Sequence, residues 1–524
     1  MKRFLSIVLL LAVAILPLQG TACTAIYVGR LASDDGTTMI AKSNDHQSNW
    51  ANYVKIVGRV EDVPGRDMPE DNTGAVLDPL PETTYRYIGT PWMDSTVKDN
   101  GLVHDASVCV NEYGVSMEMS ITAFANEAAL AADPLVTEGL TENAAVDLVI
   151  CQSATAREAV QVLCGILDRY GSCECNIAFI ADRKETWYIE IYTGHQYAAV
   201  RLPEDRVCVF GNEYNLLYLS EYEESIVSPG LVSVPEEHGF AVKNEAGELN
   251  LYATYSGDSM RSDYSHMRTW IGHHILAPSR YGGDYNISDD YPLCFRPDRK
   301  VSLEDVMGLI RNRYEGTRYS PDETGRTDMR VIGTDTAMSV HIVQIDPQLP
   351  ADRACVLWEC PAPAVYGVFV PVSNASLRVS EPYGSNQPAD REGEFDTEHY
   401  PWFLFKLINT LCVEPDSVQA YGAPVRAYWH QAEGQMIAGM KKVLALAAED
   451  ENGAELITAY CVKVQNQAFT DGKRILNDLF RTKALNSNTL KDDFNPETHK
   501  QLKEKKPLTP VRITPDGSGY AYAE

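Results

Sequence analysis

The feature that most constrains this 524-residue chain is the change near residue 22 from an apolar leader to a strand-like run. A positively charged start is followed by apolar residues 4–18, a stretch too short to span a membrane. Gly20 and Ala22 are small residues at the positions that signal peptidase reads. We therefore expect a signal peptide over residues 1–22 and a mature chain that begins at Cys23.

A cysteine at the start of a mature chain carries a thiol and a free α-amino group on the same residue. The ordinary pKa of the amine is about 7.7–8.0 and that of the thiol is about 8.5, so the amine can accept the thiol proton near neutral pH. This pairing indicates an N-terminal-nucleophile hydrolase in which Cys23 attacks the substrate. The hypothesis depends on where the leader is cut.

Two other interpretations of Cys23 stay open. In bacterial lipoproteins the cysteine after the signal is acylated on sulfur and anchors the protein. That pathway prefers a large aliphatic residue three positions before the cysteine, where this chain has Gly20, and the nearest leucine is Leu18. The second alternative is a structural cysteine that lies inside a differently placed cut.

Composition excludes several classes of function. Hydrophobic residues make up 44% and charged residues 23% of the chain, as in ordinary globular proteins. No later run is long and apolar enough to predict a membrane span. The net charge of −28 disfavours nucleic acid and anionic membranes as partners. Export would permit disulfides among the 12 cysteines, but their pairing cannot be read from sequence.

The first strands place charged residues beside Cys23. Residues 24–29 form a β-branched and aromatic run, and residues 34–36 (DDG) predict a hairpin turn. The returning strand ends at Lys42 and Asp45, next to the chain start. A cation and a carboxylate at that place can hold a terminal amine and tune its pKa. The alternative is a solvated strand end.

The rest of the chain predicts an α+β fold. A strand block, a helical block and a second strand block are typical of two sheets covered by helices. The predicted strands are 85–87, 108–111, 115–122, 175–181, 185–193, 195–201, 208–211, 336–346, 354–359 and 365–372. The predicted helical segments are 126–167, 301–313, 436–448, 456–464 and 474–485, whereas 249–276 has a mixed pattern.

In order along the chain, several segments resemble the dipeptidase A-like family of N-terminal cysteine hydrolases, which are relatives of penicillin V acylase and bile salt hydrolase. The segments that carry the resemblance are 23–29 (CTAIYVG), 35–41 (DGTTMIA), 111–115 (NEYGV), 181–182 (AD), 185–190 (ETWYIE), 211–213 (GNE), 264–270 (YSHMRTW), 339–341 (SVH) and 356–358 (VLW).

The resemblance implies a four-layer αββα N-terminal-nucleophile hydrolase sandwich with an added C-terminal helical region. We expect the hydrolase domain to cover residues 23–392, with a boundary near Gly393. A helical region would follow over 393–486, and a polar tail or arm over 487–524.

The resemblance also implies roles for individual residues. Cys23 would attack the scissile carbonyl with its own amine as base, and Asp45 would bind that amine. Asn212 would donate to the developing oxyanion. Arg268 would support the surroundings of the nucleophile, with Arg261 as the alternative equivalent.

Two further positions have weaker assignments. Thr122 would line the oxyanion site. Acylase relatives carry arginine three residues before the aspartate, where this chain has Lys42, which keeps the charge but not the planar guanidinium. Lys42 is therefore a candidate substrate-binding or oxyanion residue without a settled role.

The sequence thus predicts an exported, periplasmic or extracellular cysteine peptidase that cleaves dipeptides or short peptides through a Cys23 thioester. We expect no cofactor and no metal, and a homo-oligomer stays open. The alternatives are an amidase or acylase of the penicillin V or bile-salt type, and a lipidated, non-catalytic binding protein. Neither a papain-like partner (His341 or His430) nor a metal at His273 and His274 is needed to explain the sequence.

Overall fold

The computed structural model describes most of the chain after the predicted signal peptide. The described residues are 23–46, 51–67, 76–93, 95, 101–119, 121–257, 261–326, 328–386, 395–413, 418–448 and 450–487, with four short strands between 494 and 522. The predicted signal peptide and the predicted boundary near Gly393 lie outside these residues, as does most of the predicted tail.

Two antiparallel sheets are built from fourteen strands of the described chain. In chain order they are β1 (Thr24–Val28), β2 (Thr38–Asp45), β3 (Lys55–Val57), β4 (Tyr87–Pro91), β5 (Ala106–Asn111), β6 (Ser116–Glu118), β7 (Asn176–Ala181), β8 (Thr186–Ile191), β9 (Tyr197–Arg201), β10 (Val207–Phe210), β11 (Ser225–Val227), β12 (Ala337–Ile345), β13 (Cys355–Cys360) and β14 (Val370–Ser373). The first sheet has the spatial order β10-β1-β2-β12-β13-β14, and the second has β11-β9-β8-β7-β6-β5-β4-β3. The strand that begins after Cys23 therefore lies inside the first sheet.

Within the described residues, thirteen α-helices accompany the sheets. They are α1 (Glu127–Ala132), α2 (Glu142–Ile150), α3 (Ala156–Tyr170), α4 (Ser233–Glu237), α5 (Leu251–Tyr255), α6 (Asp263–Leu276), α7 (Pro278–Tyr281), α8 (Leu303–Ile310), α9 (Pro321–Thr324), α10 (Glu381–Gly384), α11 (Pro401–Val413), α12 (Ala423–Ala447) and α13 (Gly453–Ser487). In this part of the chain, no helix combines the length and apolarity needed to cross a membrane.

Three apolar clusters define four layers. One cluster fills the space between the two sheets and includes Cys23. A second joins the outer face of the first sheet to α6, α8, α11, α12 and α13. The third joins the outer face of the second sheet to α2 and α3. The fold is therefore an α+β, four-layer αββα sandwich with added C-terminal helices.

The β1–β2 hairpin sets the register around Cys23. Gly36 has a φ of +81°, a conformation that favours glycine, and the Asp35 carboxylate accepts the Thr37 amide at 3.0 Å. The resulting register pairs Thr24 with Ser43. Because side chains alternate along a strand, Cys23 faces the second sheet together with Lys42.

The C-terminal helices are joined to the sandwich by a buried ion pair. Arg311 follows α8 and donates through Nη1 to Glu433 Oε2 on α12 at 2.8 Å. Glu433 also accepts the Phe369 amide at 2.9 Å, and Arg311 Nε donates to the Ala364 carbonyl at 2.7 Å. Both charged side chains are buried, so each depends on the other as its counter-charge.

We expect Glu433→Ala to lower the free energy of unfolding by about 3–5 kcal/mol, because it leaves a buried guanidinium without its counter-charge. Chemical denaturation of the purified variant measures this change. Glu451→Ala, at an exposed position after α12, is the control and should change it by less than about 0.5 kcal/mol. Equal stability of the two variants would contradict this role of the pair.

Several sequence-based element predictions need correction. The mixed segment 249–276 contains the regular helix α6. All of its residues from Ser265 to His273 are buried, polar ones included, so the sequence lacks the one-sided apolar pattern that predicts a helix. The two helices predicted at 456–464 and 474–485 are one continuous helix, α13. The strands predicted at 115–122 and 365–372 are shorter, as β6 and β14.

Candidate active site

Cys23 lies at the entrance to β1, fully buried on the face that meets the second sheet. Its Sγ lies 3.8 Å from Asn44 Oδ1 on the paired strand. Burial raises the pKa of the Cys23 thiol to about 11, and this rise is partly offset by Lys42. With the residue before it still attached, Cys23 therefore keeps its proton near neutral pH.

Lys42 is the cation that acts most strongly on the thiol. It lies opposite Ala25 on β2, is fully buried, and donates through Nζ to the Met119 carbonyl. Its positive charge opposes the effect of burial on the pKa of Cys23, because it favours the thiolate.

Asp45 ends β2 and is held by two donors. Arg330 Nη2 donates to Asp45 Oδ2 at 2.5 Å, and the Ser43 hydroxyl donates to the same oxygen at 3.1 Å. The other oxygen, Oδ1, is buried and has no hydrogen-bond partner within the described chain. Burial raises the pKa of Asp45, while Arg330 and Arg268 oppose that rise. An N–H donor placed at Oδ1 would stabilise the ionised carboxylate.

Arg268 connects the start of β1 to the neighbouring loop. It projects from α6 and is fully buried. Its Nη1 donates to the Cys23 carbonyl at 2.6 Å and to Thr24 Oγ1 at 2.9 Å, and its Nη2 donates to Asn212 Oδ1 at 3.0 Å. Burial and the nearby Arg330 lower the pKa of Arg268. One guanidinium thus holds both the predicted nucleophile and the predicted oxyanion donor.

Asn212 follows β10 and is oriented from both sides. Its Oδ1 accepts from Arg268, and its Nδ2 donates to the Thr122 carbonyl at 2.8 Å. The preceding residue is Gly211, where an added Cβ would lie 2.7 Å from the Arg268 guanidinium. A side chain at residue 211 would therefore displace the Arg268 guanidinium from this position.

The structure brings most of the predicted site residues together, and their catalytic roles stay predictions. Cys23 and Asn212 are linked through Arg268, and Asp45 and Lys42 both act on the thiol. Thr122 belongs to this group through its backbone carbonyl oxygen, which accepts a hydrogen bond from Asn212.

Arg261 lies elsewhere. It pairs with Asp290 at 2.7 Å on the surface and makes a cation–π contact with Tyr252. Of the two candidate arginines, Arg268 is therefore the one that contacts Cys23.

The histidines have other partners. The two ring nitrogens of His273 lie 2.9 and 3.0 Å from the carbonyl oxygens of Thr269 and Pro292, and burial lowers the pKa of His273 to about 4. His274 bonds the Tyr281 carbonyl, and His430 is exposed on α12. No cluster of three or more metal-ligating side chains occurs in the part of the chain that the structure describes.

Sequence reasoning missed Arg330 and Glu118 around the site, and it considered His341 only as a papain-like partner of the cysteine. Arg330, in the loop before β12, belongs to no recognisable motif but holds Asp45. Glu118 and His341 form a fully buried pair at 3.0 Å, with His341 directly opposite Lys42 in the sheet. The sequence shows an ionisable residue in each of the strands β6 and β12. It does not show that Glu118 and His341 meet across the two sheets, because that contact forms only in the folded protein.

Comparison with known proteins defines the family. The family described as Peptidase family C69 matches residues 22–429. The chain belongs to peptidase family C69. It is therefore an enzyme, a hydrolase of the cysteine peptidase class.

Similar C69 relatives carry dipeptidase names. The chain is 31% identical to "Probable dipeptidase" of Salmonella dublin over 387 residues, which is 72% of this chain and 86% of that protein. It is also 31% identical to "Probable dipeptidase B" of Lactococcus lactis subsp. lactis (strain IL1403), covering 73% and 79%. Among solved structures it is similar to a mutant of conjugated bile acid hydrolase from Clostridium perfringens, at 10% identity and a TM-score of 0.30, covering 70% of this chain and 95% of that chain.

Proposed function

We propose that this C69 peptidase is an exported dipeptidase, which hydrolyses the amide bond of dipeptides or short peptides through a thioester on Cys23. The observation that supports it most is the Cys23–Arg268–Asn212 chain of contacts beside the Asp45 carboxylate, of which one buried oxygen has no hydrogen-bond partner among the described residues. The dipeptidase names of its relatives support the choice of substrate.

The α-amine of Cys23, once freed by the cut after residue 22, would be the general base. Asp45 Oδ1 is the acceptor that such an amine needs, since Arg330 and Ser43 already hold Oδ2. When the amine takes the thiol proton, its positive charge and that of Lys42 both stabilise the thiolate.

The thiolate then attacks the scissile carbonyl carbon and pushes its electrons onto the carbonyl oxygen. Asn212, oriented by Arg268, would donate to this oxyanion. The ammonium returns its proton to the leaving amine, the C–N bond breaks, and the acyl part remains on sulfur. Water, deprotonated by the same α-amine, attacks the thioester and releases the acid and the free thiol.

A substrate panel tests the proposal. Purified mature enzyme is assayed against dipeptides, N-acetylated dipeptides, longer peptides, penicillin V and glycine-conjugated bile acid. We expect dipeptides to have the highest kcat/KM. Faster cleavage of penicillin V or bile-acid conjugates would replace the dipeptidase assignment by an acylase, and no cleavage of any amide would refute both.

The role of the amine predicts a difference between cut and uncut protein. A chain that still has Ala22 before Cys23 should lose dipeptidase activity and react with iodoacetamide at Cys23 about 100-fold more slowly at pH 7, because its thiol has a pKa of about 11. Above pH 7 the rate for this chain should keep rising until the pH reaches that pKa. Peptide mapping of the alkylated cysteine gives both rates, and equal rates would exclude the amine as base.

Export has its own test. Intact mass and N-terminal sequencing of protein from the periplasmic and extracellular fractions should show a chain that begins at Cys23. A diacylglycerol adduct at Cys23 would identify the lipoprotein alternative, and a start at any other residue would remove the base that the mechanism needs.

A further inference from the structure

The thiols of Cys208 and Cys294 are in direct contact. Their Sγ atoms are 3.1 Å apart, and both residues pack in the apolar cluster between the sheets. Cys208 is fully buried on β10, whereas Cys294 is half-buried in the segment that follows α7. Neither has a role in the proposed catalysis.

The backbone places the two cysteines opposite each other. Val207 and Phe295 form an antiparallel bridge and exchange both hydrogen bonds, with N···O distances of 2.9 and 3.0 Å. The next pair along, Cys208 and Cys294, is therefore a non-hydrogen-bonded pair, for which the Cα atoms are typically about 4.5 Å apart. That spacing lies within the range of about 4.4–6.8 Å found for disulfides.

We propose that Cys208 and Cys294 form an intramolecular disulfide when the protein meets a thiol-oxidising environment. With glutathione disulfide as the oxidant, the half-buried Cys294 first exchanges with it and releases one glutathione thiol. Cys208 then attacks Cys294 Sγ and releases the second. The protein loses two hydrogens, and one disulfide is reduced to two thiols.

The bond would join two segments that frame the candidate active site. β10 leads directly into Gly211 and Asn212. The segment before Cys294 packs on α6, where the Asp289 carbonyl bonds His266 and the Pro292 carbonyl bonds His273. The disulfide would therefore fasten the strand that carries Asn212 to the layer that carries Arg268. Formation of this disulfide does not depend on peptidase activity.

Peptide mapping tests the pairing without ambiguity. Trypsin is expected to release residues 207–243 and 281–299, and each peptide contains one cysteine. The full mature protein is treated with glutathione disulfide, alkylated with iodoacetamide and digested without reductant. We expect the two peptides joined, with a mass two hydrogens below their sum. Two separately alkylated or glutathionylated peptides, or a link from either to another cysteine, would overturn the proposal.

Thermal unfolding gives a second readout. Dithiothreitol should lower the Tm of the oxidised protein by about 5 °C, because reduction reopens a long loop of the unfolded chain. In Cys294→Ala the reductant should leave the Tm unchanged. Cys164→Ala, a buried cysteine in α3, is the control and should keep the full reductant-dependent shift. A Tm of the oxidised wild type that does not respond to the reductant would contradict the disulfide.

Discussion

Replacing Cys23 with alanine is expected to reduce dipeptide hydrolysis by at least about 10⁴-fold, because no other group in the proposed mechanism can form the acyl intermediate. The cut after residue 22 should still occur, since Ala22 is unchanged. Initial rates measured with a dipeptide substrate at saturating concentration give the effect on kcat, and mass spectrometry should show that the variant forms no acyl adduct.

Cys164→Ala is the matched control for this experiment, since it removes a buried thiol on α3, in the outer layer beside the second sheet. It should retain activity within about twofold of the wild type, as expected for a residue outside the catalytic unit. The Tm of Cys23→Ala separates a chemical defect from misfolding, because Cys23 is also part of the core between the sheets. A folded Cys23→Ala protein that retains substantial activity would require a different nucleophile.

Replacing Asn212 with alanine should lower kcat by about 10²–10³-fold and leave KM nearly unchanged, because the amide would act on the oxyanion and not on the ground-state substrate. Steady-state kinetics on a dipeptide measure both constants. The substitution also removes the acceptor of Arg268 Nη2, so the Tm should be recorded to detect loss of stability.

Asn215→Ala provides the comparison within the same loop. Asn215 Nδ2 donates to the Tyr188 hydroxyl and to the Glu213 carbonyl, on the side of the loop that packs against β8. Its loss should therefore change stability more than kcat. If Asn212→Ala raised KM alone, Asn212 would be a substrate-binding residue, and if both variants lowered kcat equally, the effect would be a loop distortion.

Local patterns in the sequence were sufficient to predict the first two strands of the site. The DDG turn and the alternation on each side of it predict a hairpin, and the structure contains it with Gly36 at a positive φ. A period of two residues then places Cys23 and Lys42 on the same face. Family C69 membership and the αββα architecture, both expected from the resemblance, are confirmed.

Longer-range contacts could not be predicted in this way. Arg261 and Arg268 both flank the same motif, and only the packing of α6 against β10 shows which one reaches Cys23. Arg330 meets Asp45 across 285 positions of the sequence. Neither contact leaves a periodic signal, because it joins segments that are adjacent only after the sheets and helices have packed.

Residue chemistry and periodicity over a few positions were enough to predict a nucleophile that carries its own base and the strands that flank it, and the family was expected from the resemblance of several short segments. Three other properties became visible only when distant segments had packed: the charges that share the buried space around Cys23, the ion pair through which Glu433 joins the C-terminal helices to the sandwich, and the approach of Cys208 to Cys294. The behaviour of a buried charge or thiol depends on its neighbours, and in this fold those neighbours come from distant parts of the chain.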